Sequence, residues 1–231
     1  MFRASFVIIT KMYENLVQIG LRNYLDKYYD SKEWFSETYI EVINTYVGLK
    51  TEIEKSILLK KFESITSHSE VNDHFNELMI GAAYHPKGIF QKDNVTGGSP
   101  DLVDKGISIE VKTINAPPNE IERHKSTTPG VVYSGPFPED VNFENRFTYK
   151  FNLRLEKARM QINNSGLVYI VWDSTIRGWS GRKDKIEKLL NRLASEHKTK
   201  YPNITIKHIF FGDLREMLAA RDTIKPEPEN N

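Results

Sequence analysis

The stretch GGSPDLVDKGISIEVKT, residues 97–113, decides how the middle of the chain folds. A short strand is predicted to begin at Asp101, and the sequence Asp104-Lys105-Gly106 is typical of a tight turn in which glycine adopts a left-handed backbone conformation. In the second strand, apolar residues alternate with polar residues that include Glu110 and Lys112. Because successive side chains point to opposite faces of a strand, Glu110 and Lys112 share one face. An antiparallel hairpin would also bring Asp101 close to Glu110.

The sequence on either side of this hairpin predicts a succession of helices and strands. Before it, apolar residues recur at helical spacing, and the last of these helices begins at Ser69 and ends at Pro86. After it come a helix from about Tyr149 to Asn163, the apolar run LVYIVWD, an amphipathic helix and a last strand, ITIKHIFFG. Strands separated by helices favour the α/β (α+β) class, with a mixed sheet flanked by helices.

Three of the predicted helices carry specific expectations. Thr51 is expected to begin a helix whose inward stripe is Ile53, Ile57, Leu58 and Phe62. The helix after LVYIVWD is expected to bury Ile186, Leu189, Leu190 and Leu193, and Asp213 is expected to cap the final helix.

We divide the chain into three parts. Residues 1–68 form a helical N-terminal region, which is either an extra layer or a small second lobe. Residues 69–221 form the core, with a long insertion at about 116–147 that contains five prolines and is longer than an ordinary connection. The polar tail at 222–231 is expected to be disordered.

Composition excludes several classes of function. The 231 residues include no cysteine, which rules out disulfides, thiolate metal sites and cysteine nucleophiles. No apolar run approaches the roughly 18 residues of a membrane span, so a soluble, cytoplasmic protein is expected. The net charge is +1, but residues 146–217 carry 15 Lys and Arg against 7 Asp and Glu, which indicates a side that faces a polyanion or an ordinary solvated surface.

The charged groups of the hairpin suit a divalent metal. Asp101 and Glu110 supply carboxylate oxygens, and the Val111 carbonyl lies between Glu110 and Lys112 in sequence. Mg²⁺ prefers hard oxygen ligands, and a lysine beside it can orient or deprotonate water and offset negative charge. Phosphodiester hydrolysis needs these functions. The structural alternative is an edge strand whose solvent face carries Glu110 and Lys112.

The order Pro100-Asp101, eight residues, then Glu110-Val111-Lys112 resembles the signature of the PD-(D/E)XK nuclease superfamily, which includes many type II restriction endonucleases. The resemblance implies a restriction-endonuclease-like mixed sheet and Mg²⁺-dependent DNA cleavage, with Mn²⁺ able to substitute. It makes Asp101 and Glu110 metal ligands and Lys112 the catalytic lysine.

The resemblance also implies residues on the two neighbouring helices. A Glu on the preceding helix matches Glu77 best, with Glu70 and Asp73 as competitors. A polar residue on the following helix matches Gln161, and Arg154 and Lys157 lie on the same helical stripe. Surface positions on the helices are the alternative for each of them.

Other basic and aromatic residues are candidates for contact with DNA. The loop after LVYIVWD contains Arg177, Trp179, Arg182 and Lys183, and the insertion contains Lys125 and Tyr133. They are expected to contact phosphates or bases. An ordinary solvated turn, a lid and a dimer contact are the alternatives.

The sequence therefore predicts a Mg²⁺-dependent endonuclease that acts on double-stranded DNA, with a restriction-type homodimer as the favoured form. A structure-selective repair or recombination nuclease is the alternative within the same chemistry. A non-catalytic DNA-binding module and a helical interaction protein are the alternatives from other classes.

Overall fold

The computed structural model describes residues 37–65, 68–92, 98–114, 143–172 and 183–221, which form a five-stranded mixed sheet flanked by helices. The elements, in chain order, are α1 (Glu37–Gly48), α2 (Glu52–Glu63), α3 (His68–Tyr84), β1 (Ile89–Phe90), β2 (Leu102–Asp104), β3 (Ile107–Ile114), α4 (Phe143–Gln161), β4 (Gly166–Trp172), α5 (Lys183–Lys200), β5 (Ile204–Phe210) and α6 (Phe211–Arg221). The strand order is β1-β2-β3-β4-β5. The first three strands are antiparallel, and β4 and β5 continue the sheet in parallel with β3. The predicted α/β class and order of elements are confirmed.

The β2–β3 hairpin has the tight turn that the sequence predicts. Asp104 pairs with Ile107, which leaves a loop of two residues, Lys105 and Gly106. Their φ angles are 50° and 80°, as a type I′ turn requires at both central positions. Leu102 pairs with Ile109, so the same register places Asp101, just before the strand, opposite Glu110.

The sheet separates two apolar clusters. One face packs against α1, α2, α3 and α6, and the other packs against α4 and α5. The middle strand β4 contributes to both clusters, and its residues 168–172 are all buried. This confirms the prediction that LVYIVWD is covered on both sides. Because α1 and α2 share the first cluster with the sheet, residues 37–65 form an extra layer of this fold.

Several predicted boundaries differ from the structure. α4 begins at Phe143 instead of Tyr149, so the end of the expected insertion is helical. The strand β1 was not predicted, because two residues are too few to show a periodicity. α6 begins at Phe211, which places Asp213 inside the first turn, where its carboxylate binds Lys183, and not at the cap.

The predicted inward stripe of α2 is wrong at its N-terminal end. Thr51 is the N-cap, as expected, and forms a capping box with Glu54. However, the Ile53 side chain is 75% exposed, and the buried residues of the helix are Glu54, Leu58, Lys61 and Phe62. The inner face of α2 includes Glu54 and Lys61 because both charged side chains find hydrogen-bond partners in the interior. Glu54 also accepts the Phe90 N–H at 3.2 Å.

Within the described ranges, no helix is both long enough and apolar enough to cross a membrane. The remaining part of the insertion, the loop after β4 and the polar tail lie outside the described residues.

Candidate active site

The open end of the β2–β3 hairpin holds two buried carboxylates in place by backbone hydrogen bonds. The Val111 N–H donates to Asp101 Oδ2 at 2.8 Å, and the Asp101 N–H donates to Glu110 Oε2 at 3.1 Å. Asp101 is 3% exposed and Glu110 is 0% exposed. The register of the hairpin therefore fixes both side chains, and the predicted closeness of Asp101 and Glu110 is confirmed.

A third buried carboxylate, Glu77 on α3, joins this pair through a lysine. Lys61 Nζ lies 2.9 Å from Glu77 Oε2 and 3.2 Å from Asp101 Oδ1, so its ammonium bridges the two acids. The ring Nδ1 of His74 lies 3.2 Å from the other oxygen of Glu77. Glu77 was the expected partner on this helix, and the structure brings it to Asp101.

Lys112 lies on the same face of β3 as Glu110, as the alternation predicts. Its Nζ contacts Glu110 Oε1, and its side chain is largely buried. Burial would lower the pKa of Lys112, but the charges of Asp101 and Glu110 outweigh burial and raise that pKa. Lys112 is therefore held as an ammonium beside the carboxylates.

Burial and neighbouring charges also shift the pKa of each acid. Burial, and then the charge of Glu77, raises the pKa of Asp101. Burial, and then the charge of Asp101, raises the pKa of Glu110 well above its ordinary value. Burial alone would raise the pKa of Glu77, but the Lys61 ammonium and the His74 ring hold it well below its usual range. The surroundings thus favour the charged form of Glu77 and disfavour the charged forms of Asp101 and Glu110.

A cavity of about 240 Å³ opens over this cluster. Its walls come from α2, α3, α4 and the hairpin, and the lining residues are Lys61, Glu70, Asp73, His74, Glu77, Gly98, Asp101, Val111, Lys112, Arg154 and Gln161. Glu110 lies beneath the wall, where Lys112 and the Asp101 N–H contact it. The expected site residues of α3, β3 and α4 therefore meet at one cavity.

Gln161 reaches this cavity because the chain before Asp101 passes close to α4. Gly98 has a φ of 79°, and a Cβ built on it would lie 2.6 Å from Gln161 Cγ. Only glycine fits this backbone conformation and spacing without strain. The approach places Gln161 beside the segment that leads into Asp101.

The remaining predicted nucleic-acid contacts divide into four groups. Arg154 lines the cavity, and its Nη2 lies 4.0 Å from Asp73 Oδ2. Lys157 is exposed on α4 and does not belong to the described lining. Lys183 is partly exposed and forms an ion pair with Asp213, with its Nζ 2.6 Å and 2.8 Å from the two carboxylate oxygens, and its contact with DNA stays a prediction. The other candidates, Arg177, Trp179, Arg182, Lys125 and Tyr133, lie outside the described residues.

The donors of the site suit Mg²⁺ in their chemistry. Glu77, Asp101 and Glu110 offer hard carboxylate oxygens, and Val111 lines the same cavity. In the described part of the chain, no three His, Asp or Glu side chains form a ready set of metal ligands. The geometry explains this, because the Lys61 ammonium lies between Glu77 and Asp101, and Lys112 contacts Glu110.

Sequence reasoning missed two residues of the site, Lys61 and His74. For Lys61 a signal exists, because it lies at helical spacing from Leu58 and Ile65, both of which are buried. A charged residue at such a position either breaks the apolar stripe or has a buried partner. His74 lies three residues before Glu77 on α3, a spacing at which two helical side chains can contact each other. That spacing predicts a contact in the site only once Glu77 is known to be a buried acid.

Comparison of the chain with family models, with curated proteins and with solved structures finds no match. The functional interpretation therefore rests on the geometry of the site.

Proposed function

We propose that this protein is a Mg²⁺-dependent deoxyribonuclease of the PD-(D/E)XK type with a restriction-endonuclease-like core. The observation that carries the proposal is the convergence of Glu77, Asp101 and Lys112 at one cavity, with Glu110 buried directly beneath its wall in contact with Asp101 and Lys112. These four residues come from α3, from the position just before β2 and from β3. An edge strand with a solvated charged face would leave Glu110 exposed, whereas its side chain is completely buried.

The carboxylates of Glu77, Asp101 and Glu110, together with the Val111 carbonyl, would hold the ion. Bound there, Mg²⁺ would neutralise charge on the phosphoryl oxygens and make water a better nucleophile. The backbone hydrogen bonds from Val111 to Asp101 and from Asp101 to Glu110 fix two of the carboxylates before any ion binds. Such preorganisation lowers the cost of arranging the site during the reaction.

Lys112 would position the attacking water and offset the charge that develops on the phosphate. Its Nζ contacts Glu110 Oε1, and its side chain lines the cavity. An ammonium donates three hydrogen bonds, and a neighbouring water and a phosphate oxygen can each accept one.

Two residues of α4 line the same cavity and are candidates to contact the substrate. Arg154 is the candidate for a phosphate contact, since a guanidinium binds phosphate oxygens in a bidentate manner. Gln161 lies beside Gly98 and can donate or accept a hydrogen bond there. The surplus of Lys and Arg in residues 146–217 favours double-stranded DNA as the polyanion.

Within this chemistry we favour a site-specific endonuclease. A homodimer with two-fold symmetry would place two such cavities on the two strands of a palindromic site. A structure-selective nuclease with the same catalytic residues is the alternative, and the pattern of products distinguishes the two.

The test is cleavage of supercoiled plasmid and of long genomic DNA, with Mg²⁺ and with EDTA, by the wild type, Lys112→Ala and Lys188→Ala. Lys188 is an exposed lysine on α5 and serves as the matched control. We expect discrete fragments that require Mg²⁺, disappear with Lys112→Ala and persist with Lys188→Ala. A smear of fragments would favour the structure-selective or degradative alternative. Salt-sensitive binding without cleavage would indicate a DNA-binding module and contradict the catalytic proposal.

A further inference from the structure

Lys61 is a buried cation inside the group of carboxylates to which a metal role is assigned. Its side chain is 6% exposed, and its ammonium contacts Glu77 at 2.9 Å and Asp101 at 3.2 Å. A buried lysine is costly unless it is paired, and these two acids supply the pairing. The ammonium therefore lies between two of the oxygens that would bind a divalent ion.

An ammonium and a divalent cation cannot both occupy that position. Both are attracted to the same oxygens, and at such short distances they would repel each other strongly, because the buried site screens charge poorly. Metal binding to Glu77 and Asp101 together thus requires the Lys61 ammonium to move away. The free energy of breaking its two ion pairs must then be subtracted from the free energy of metal binding.

The structure provides a place to which the Lys61 side chain can move. Lys61 also lines a second cavity, of about 580 Å³, along α2. Ser56, Ser64 and Glu52 offer hydroxyl and carboxylate oxygens there, whereas the ammonium groups of Lys60 and Lys92 repel a further cation and so add to the free energy needed to displace Lys61. Lysine has a long flexible side chain, so its ammonium can change cavities by rotation about side-chain bonds while α2 stays in place.

We propose that Lys61 is an internal competitor for the metal, an ammonium that neutralises Glu77 and Asp101 until a divalent ion displaces it into the second cavity. This inference rests on the proposed metal site and adds a regulatory element to it. The exchange makes the protein stable without metal, because the acids keep a counter-charge. It also weakens metal binding, so that the site fills only where the concentration of divalent ion is high enough.

The first test is the binding of Mn²⁺ to metal-stripped wild type, Lys61→Met and Lys188→Met, measured by calorimetry. Methionine keeps the length and apolar stem of lysine, and Lys188 is an exposed lysine on α5 that lines neither cavity. We expect Lys61→Met to bind Mn²⁺ about tenfold or more tightly than the wild type, since charge-assisted hydrogen bonds no longer have to be broken. Lys188→Met should bind as the wild type does. The melting temperature of metal-stripped Lys61→Met should fall, and Mn²⁺ should raise it by more than in the wild type.

The outcomes separate this proposal from the proposed function. If Lys61→Met binds Mn²⁺ no more tightly than the wild type, Lys61 is not a competitor, although the metal site itself stands. If none of the three proteins binds Mn²⁺, both the metal site and the exchange are wrong.

A second test uses the unaltered protein and so does not depend on the folding of a variant. Amine acetylation of each lysine is followed by mass spectrometry with and without Mn²⁺. We expect the labelling of buried Lys61 to rise several-fold when Mn²⁺ is added, while the labelling of exposed Lys188 stays constant as the internal reference. Labelling of Lys61 that stays constant or falls would overturn the displacement.

Discussion

The helices α2 and α5 both pack in the apolar clusters that cover the sheet, yet they use their buried faces differently. α5 buries Ile186, Leu189, Leu190 and Leu193, as its spacing predicts. α2 places two charged residues, Glu54 and Lys61, among its buried residues and leaves Ile53 exposed. The buried residues of α5 are therefore all apolar, whereas those of α2 include groups that pair with charges. A helix that gives up apolar burial for paired charges indicates a site nearby.

The largest loss of stability is expected when a buried leucine of α5 is truncated. Leu190 is completely buried in the cluster between the sheet and the helices α4 and α5. Truncation leaves a cavity, so Leu190→Ala should lower the free energy of unfolding by about 4 kcal/mol. Leu153→Ala, at an exposed leucine of α4, is the control and should have little effect. Urea unfolding of both variants measures the difference, and equal losses would contradict the assignment of this core.

A smaller loss of stability is expected when the buried carboxylate of Glu54 on α2 is removed. Glu54 closes the capping box with Thr51 and accepts the buried Phe90 N–H. Glu54→Ala should lower the free energy of unfolding by about 2–3 kcal/mol, because a cap is lost and a buried donor is left unpaired. Glu52→Ala, at an exposed acid one residue after the cap, should cost only a few tenths of a kcal/mol. If the two variants unfold alike, Glu54 has no special role in joining α2 to β1.

The smallest effect is expected at the residue that the apolar spacing assigned to the core. Ile53 is mostly exposed, so Ile53→Ala should change the free energy of unfolding by no more than about 0.5 kcal/mol. The originally predicted stripe would instead require a loss of about 2–5 kcal/mol. The same urea unfolding experiment decides between the two orientations of α2.

The sheet and hairpin were predictable because local rules determine them. The pair Lys105 and Gly106 satisfies the two-residue turn, and alternation then places Glu110 and Lys112 on one face. The continuous apolar run of β4 predicts a strand that is covered on both sides. A two-residue turn also sets the register of the hairpin, and that register places Asp101 opposite Glu110.

The positions of Lys61 and His74 could not be predicted in the same way, because they depend on contacts distant in sequence. Lys61 is buried only because Asp101, forty residues later, and Glu77 supply its counter-charges. Periodicity assigns charged residues to the solvent side of a helix. The predicted inward face of α2 therefore includes Ile53 and excludes Lys61. The contact of Gly98 with Gln161 likewise depends on how the chain before β2 passes α4.

The central claim is that the carboxylates at the open end of the hairpin support metal-dependent cleavage of DNA. The most direct measurement is the initial rate of cleavage of long genomic DNA as a function of Mg²⁺ concentration, for the wild type, Glu110→Gln and Glu63→Gln. Glu63 is an exposed acid at the end of α2 and controls for the loss of a carboxylate. We expect a wild-type rate that rises with Mg²⁺ and vanishes in EDTA. We expect it to fall on the order of 10³-fold in Glu110→Gln, since metal stabilisation of the transition state amounts to several kcal/mol. Glu63→Gln should retain the wild-type rate. Wild-type cleavage that persists in EDTA, a wild type that cuts at no Mg²⁺ concentration, or a Glu110→Gln rate equal to that of the wild type would contradict the claim.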